Sequence, residues 1–294
     1  MTFIIYLSVS IMALFMSSQG ILAKQNIPED CIQSNFSGKA YDLKSNQWVY
    51  TEQHRKIYHT STAANIELKP IRHHVTYLTP ENTIIATKSL HYGTSPSRPE
   101  FDFTDQRIGY VEGAAEVKNQ VSITAQKLGK KIKSKTIPLA TAGVHDAGFH
   151  EFIVENWATL ISGNALEFDF LTPSRFRYLD FTMTPNGQTP EGHFIFLLTA
   201  DNPLFNFAVK PIELIYSAPN QELINTDLIN TELTHAEITR KATSTLPTLL
   251  SFQGLTNIKS PEKKQYRARI EYAYSSDAVT PCPPDDDAAE PARF

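Results

Sequence analysis

Residues 144–151 read VHDAGFHE and bring His145, Asp146, His150 and Glu151 close together in the chain. Imidazoles and carboxylates at this density could act as a general acid and base, because both groups exchange protons when their surroundings shift them toward working pH. The plainer reading assigns Asp146 to a helix N-cap and Glu151 to the first helical turn, where a carboxylate suits the helix dipole. Elsewhere the chain is poor in chemical signatures. It has no G-x-S-x-G, no G-x-G-x-x-G, no G-x-x-x-x-G-K-[ST] and no H-E-x-x-H. The stretch HEFIV at 150–154 lacks the second histidine of a zinc site, and His235 with Glu237 form an H-x-E without the C-x-x-C that zinc deaminases need. His73 and His74 are adjacent in a strand pattern, so their rings point to opposite faces and cannot share a metal locally, although His54, His59 or His91 could reach one of them across a sheet. The reading is of no cofactor and no metal. Arg175 and Arg177 alternate with Phe176 and Tyr178, which places two guanidiniums on one strand face. There they can hold an anionic head group or pair with Glu167 or Asp169 on the neighbouring strand.

The elements that must position these residues are mostly strands. SGKAYDL and QWVYTEQHRKIYH flank Lys44-Ser45-Asn46, and ANIELKPIRHHVTYL and TIIATKSLHY flank Thr79-Pro80-Glu81-Asn82; both spacings predict hairpins. TSPSRPEFDFTDQRIGY, with two prolines and an acidic patch, reads as an irregular connection. VSITAQKL and KKIKSKTIPL straddle Gly129 as a further hairpin, with lysines where an edge strand would carry them. In DAGFHEFIVENWATLISG the residues Phe149, Phe152, Ile153, Asn156, Trp157, Leu160 and Ile161 repeat at helical spacing, which predicts one principal amphipathic helix over about 146–162, ended by Gly163. ALEFDFL and RFRYLDFTM alternate about the turn Thr172-Pro173-Ser174, and GHFIFLLTA, FNFAVKPIELIYS, LLSFQGL and YRARIEYAY complete the strand set. The predicted fold is mainly β: a curved antiparallel sheet or half-open barrel with the helix packed on it, a single domain over 36–275.

Phe3 to Met16 form an uncharged apolar run followed by small residues, which predicts a signal peptide over 1–23, cleaved after Gly20 or Ala23, with a retained anchor as the alternative. The expected location is therefore exported, in the periplasm. No later segment has the length of apolar chain that crosses a membrane as a helix. The formal charge of −4 resides in the C-terminal stretch, where Asp277, Asp285, Asp286, Asp287 and Glu290 face Arg293, so the rest of the chain is neutral and nucleic acid is not an expected partner. That stretch, 276–294, reads as a disordered acidic, Pro-rich tail. Cys31 and Cys282 either form a disulfide or remain two thiols in flexible ends. Residues 222–242 carry LINTDLINTELTHAEITRKA, with leucine-type residues every five positions. That period fits neither helix nor strand, and too few units are present for a pentapeptide solenoid, so a short helix or a loop inserted at the end of the PIELIYSA–LLSFQGL hairpin is expected.

The run from DAGFHEFIV to LDFTM, followed by KPIELIYS, LLSFQGLTNI and RARIEY, resembles a family of exported proteobacterial proteins of unknown function, and GKAYDLKSNQWVYTEQH is similar to its first hairpin. The resemblance spans most of Phe36 to Tyr274 without the repeat, and carries no catalytic residues over. In fold, the strands and helix also resemble the half-open barrels of periplasmic lipoprotein carriers, which hold acyl chains. Aromatic strands without a catalytic grouping lead to the expectation of a non-catalytic binding module for an apolar ligand, or a partner of an envelope protein. The alternatives are an interaction protein using the 222–242 insertion and a hydrolase centred on His145, Asp146 and His150.

Overall fold

A computed structural model describes residues 31–60, 68–126, 129–201, 210–219, 246–260 and 264–282. The apolar N-terminal run and the five-residue repeat lie outside these residues. Fifteen strands form one sheet in the order β8-β7-β6-β5-β4-β3-β2-β1-β15-β14-β13-β12-β11-β10-β9. β1 to β8 are Cys31–Asp42, Trp48–Thr60, Leu68–Leu78, Ile84–His91, Glu100–Asp105, Tyr110–Val117, Gln120–Ala125 and Lys133–Pro138; β9 is Gly143–Val144. After two short helices come β10 to β15: Leu166–Thr172, Arg177–Gln188, Phe194–Ala200, Ile212–Ser217, Thr248–Lys259 and Gln265–Pro281. The pairing is antiparallel except between β9 and β10.

The two outermost strands, β8 and β9, are consecutive in the chain. Five peptide steps separate Pro138 from Gly143, so the two ends lie within about 18 Å. The sheet must therefore curl until its edges approach each other. Side chains complete the seam: Leu171 of β10 packs in one cluster with Leu90, Phe101, Val121, Ile123 and Ile137 from β4 to β8.

Local chemistry explains most elements. Asp42 accepts from the Lys44 and Ser45 amides in the β1–β2 turn, and Thr79 Oγ1 does so for Glu81 and Thr83 in the β3–β4 turn. Asn46 and Asn82 take the left-handed conformation that asparagine tolerates. The segment expected to be irregular, 94–110, contains β5. Its prolines, Pro96 and Pro99, precede the strand and remove no ladder donor, while Phe101 and Phe103 alternate into the core. The hairpin predicted beneath the repeat is present, with Ser217 opposite Thr248.

Three expectations change. The helix is two: α1 at Gly148–Glu155 and α2 at Trp157–Ile161, divided at Asn156, whose side-chain amide donates to the Phe152 carbonyl at 2.8 Å in competition with its own backbone N–H at 3.2 Å. Ala147 holds the N-cap position, and Asp146, at φ 42°, does not cap. The segment 276–281, expected to be disordered, continues β15 against β1, with Ile32 opposite Pro281, so β1 also begins earlier than the domain boundary placed at residue 36. Cys31 and Cys282 are disulfide-bonded at that end. In the chain-entropy account, closing 251 residues of sequence restricts the unfolded chain by on the order of 5 kcal/mol.

The helices occupy the concave side. Ile153 and Leu160, both fully buried, join Phe168, Met183, Phe196, Leu214 and Tyr216 in one cluster. The connection between β4 and β5 holds the start of α1: the His145 amide donates to the Ser97 carbonyl at 3.0 Å, and a Cβ on Gly148 would lie 2.2 Å from that oxygen. Gly148→Ala is expected to lower the unfolding free energy by about 2 kcal/mol in urea titration, because the clash is with backbone and cannot be relieved by a side-chain rotation.

Candidate functional site

The inward positions of β2 read Tyr50, Glu52, His54, Lys56 and Tyr58, so charged groups share a face with tyrosines. Opposite them, α1 and its approach supply acids. Lys56 Nζ donates to Glu151 Oε1, with both side chains almost wholly buried, and the ammonium sits 4.9 Å from the Tyr58 ring and 5.7 Å from the Tyr92 ring. Lys88 of β4 donates to both oxygens of Asp146, at 2.7 and 2.9 Å. Two ion pairs thus join the helix start to the inner wall. Burial alone would lower the Lys56 pKa and raise that of Glu151, yet each group's opposite charge outweighs it, so the ammonium lies well above its usual value and the carboxyl below.

His145, Asp146 and His150 each meet a different partner. His145 Nε2 meets Tyr178 Oη at 2.7 Å, His150 Nδ1 meets Tyr216 Oη at 3.2 Å, and Asp146 is engaged by Lys88. Burial holds both histidines low, at about 4 each. His73 and His74 do face opposite ways: His74 Nδ1 lies 3.2 Å from Ser89 Oγ, while His73 Nε2 lies 2.9 Å from His54 Nδ1. His54 was thus the approaching histidine. Its Nε2 contacts Glu52 Oε2 at 3.1 Å, and Tyr272 Oη donates to the same oxygen at 3.2 Å. The consistent proton assignment has His54 Nε2–H donating to Glu52 and His73 Nε2–H to His54, which leaves His73 Nδ1 as a buried acceptor without a partner. Burial, followed by the neighbouring His54 and lysines, lowers His73 well below the usual imidazole value. Phe36 stacks on His54 with centroids 4.3 Å apart.

Arg175 and Arg177 are not arranged as expected. Pro173–Arg175 form a 3-10 turn and Phe176 is left-handed, so Arg177 opens β11 opposite Thr172, while Glu167 faces Thr182 and Asp169 faces Asp180. Among the described residues no three His, Cys, Asp or Glu side chains are grouped to hold a metal, and no helix is long and apolar enough to cross a membrane.

A cavity of 310 Å³ opens beside the helix start, at the seam. Phe101, Phe170, Leu171 and Pro173 give it apolar walls, and Asn257, Lys259 and Gln265 a polar side. Tyr110 and Glu112 also line it, with Tyr110 Oη donating to Glu112 at 2.6 Å and burial raising the Glu112 carboxyl. Lys259 Nζ lies 4.2 Å from the Tyr110 ring centre. Lys56, Lys88 and Glu112 are not among the site residues expected from the sequence. The available signal was their two-residue spacing from Tyr50, Tyr58, Leu90, Tyr110 and Ala114, which puts them on the buried side. The chain matches no family model, and no curated protein or solved structure matches it either.

Glu151→Leu should cost about 3–5 kcal/mol by stranding the Lys56 charge, with most of that regained in the Lys56→Met/Glu151→Leu double variant; urea midpoints of the three proteins decide it. Acid should also weaken the fold. Between pH 6.5, where an unfolded histidine titrates, and about 4, the unfolded chain takes up protons that folded His145 and His150 refuse. Stability is then full above this window and falls with pH inside it, by up to about 1.4 kcal/mol per unit for each histidine. Urea titrations across the window should lose much of that slope in His150→Phe; an unchanged slope would contradict the assignment.

Proposed function

We propose that this protein is a non-catalytic binding module that takes a small, mainly apolar ligand with a polar end into the seam cavity. The single observation that carries this reading is the cavity itself, whose 310 Å³ lies at the lower end of the range for small-molecule sites. Its apolar walls would take the body of the ligand, and Asn257, Lys259 and Gln265 would meet the polar end. Catalysis at His145, Asp146 and His150 has less support, because each is engaged by a different partner. An exported, periplasmic setting belongs to the same proposal. The disulfide supports it, since such bonds persist in oxidising compartments, and so does the apolar run before it.

The test uses N-phenylnaphthylamine, an apolar dye that brightens when it leaves water. It should bind with one-to-one stoichiometry and be displaced by lipid extracted from the native envelope. Ser174→Trp, at the half-buried lip of the cavity, should weaken dye binding at least about tenfold, a change of about 1.4 kcal/mol, without moving the melting temperature. Absence of brightening, or equal binding by the variant, would dismiss the cavity as the site.

A further inference from the structure

In an antiparallel meander every second connection reaches the same rim. The β1–β2, β3–β4, β5–β6, β7–β8, β10–β11 and β14–β15 connections therefore lie together, at the rim where the seam cavity opens. Their composition differs sharply from the neutral average of the body. The β7–β8 turn presents Lys130, Lys131 and Lys133, all exposed, and the β10–β11 turn presents exposed Arg175 and Arg177. Lys44 and Arg107 extend from the first and third of these turns, and Lys259, Lys264 and Arg267 surround the last. Acids stand at this rim as well: Asp42, Glu81, Asp201 with Asp180 beside it, Asp105, buried and paired with Arg107 at 2.7 Å, and Glu112 and Asp146 on the cavity wall, Asp146 paired with Lys88.

The same rim carries four large apolar side chains in water: Leu43 at 38%, Trp48 at 39%, Ile84 at 50% and Ile132 at 55% exposure. Isolated exposed apolar residues are ordinary, but these four share one rim: Leu43 and Trp48 flank the β1–β2 turn beside Lys44, Ile132 lies among the β7–β8 lysines, and Ile84 ends the β3–β4 turn. Trp48 is held rather than loose, its indole N–H donating to the Tyr50 carbonyl at 3.0 Å with Lys39 Nζ 5.2 Å from the ring centre. An indole and branched aliphatics ringed by lysine and arginine match the two layers of a lipid surface, acyl boundary and anionic head group. A polyanion would engage the charges and leave the apolar tips in water; a lipid surface satisfies both.

We propose that this rim docks on an anionic lipid surface, with Trp48, Leu43, Ile84 and Ile132 at the acyl boundary and the basic turns on the head groups. Docking would bring the cavity mouth to the membrane, yet it stands whether or not the cavity holds a ligand.

In the full-length chain with Trp157→Phe, Trp48 is the sole tryptophan. Vesicles of phosphatidylcholine mixed with phosphatidylglycerol should shift its emission to the blue, and brominated acyl chains should quench it; vesicles of phosphatidylcholine alone should do neither. Lys130→Glu/Lys131→Glu/Lys133→Glu, all exposed and outside the core, should weaken vesicle binding at least about tenfold with an unchanged melting temperature, as should raised salt. Leu43→Ser/Ile84→Ser should retain charge-driven binding with diminished quenching. Equal emission with both vesicle types would overturn the proposal. So would binding indifferent to the lysine reversal, which would assign attachment to the N-terminal apolar run. A shift that appears on concentrating the protein without lipid would overturn it in favour of self-association. Loss of dye binding in Ser174→Trp alongside intact docking separates this proposal from the cavity reading.

Discussion

Lys56 and Lys88 project from β2 and β4 into a space that excludes water, and neither charge would be tolerable there without Glu151 and Asp146. Each pair spans from the sheet wall to the start of the helix, so α1 can take only the position and rotation that satisfy both. The remaining contacts are apolar, with Ile153 of α1 and Trp157 and Leu160 of α2 packed against the aromatic strands β10 to β13. A replacement of the pairs by apolar residues could match their energy. It would not reproduce the directional match between two ammonium groups and two carboxylates. The tyrosines around Lys56 and the Glu52–His54–His73 chain extend the same polar layer, which makes the interior a specified arrangement rather than a generic oily core.

The helix position in turn defines the cavity. Asp146, turned toward Lys88 in a left-handed backbone, forms part of the cavity wall, and Asn257 lies 3.5 Å from its carboxylate. The seam supplies the rest. Because β8 and β9 are joined by a short link but do not pair, side chains rather than ladder hydrogen bonds complete the curve. The space left where Phe101, Phe170 and Leu171 meet is the consequence. Other inward positions are filled by aliphatic residues together with Tyr50, Tyr77, Phe103, Phe168, Phe196 and Tyr216.

Connectivity explains the basic residues of the rim as well. Turns distant in the chain become neighbours because an up-and-down sheet returns them to one rim, and the disulfide between Cys31 and Cys282 fixes the opposite end of β1 and β15. The β1–β2 and β3–β4 turns are short and built on side-chain hydrogen bonds to Asp42 and Thr79, so they present Lys44, Leu43 and Ile84 from a firm base. The proposed lipid-facing rim and the proposed ligand opening lie at the same end and are physically compatible in one molecule.

The two-residue alternation of Tyr, Phe, Val and Ile, with Asn, Gly and Pro between the runs, determined by itself that the chain would be a mainly antiparallel sheet with its helical segment near 146–162, since both signals are local. Local rules also misled where a distant residue competed for the same group: Asp146 was drawn from the helix cap by Lys88, and the last turns of 276–281 were ordered by β1. Only the tertiary structure decided that Lys56 meets Glu151, that His54 meets His73, and that ten lysines and arginines scattered from Lys44 to Arg267 come to one rim. Each depends on which residues far apart in sequence are brought together when the sheet curls, and electrostatic energy depends on separation in space, which composition and spacing along a chain do not contain.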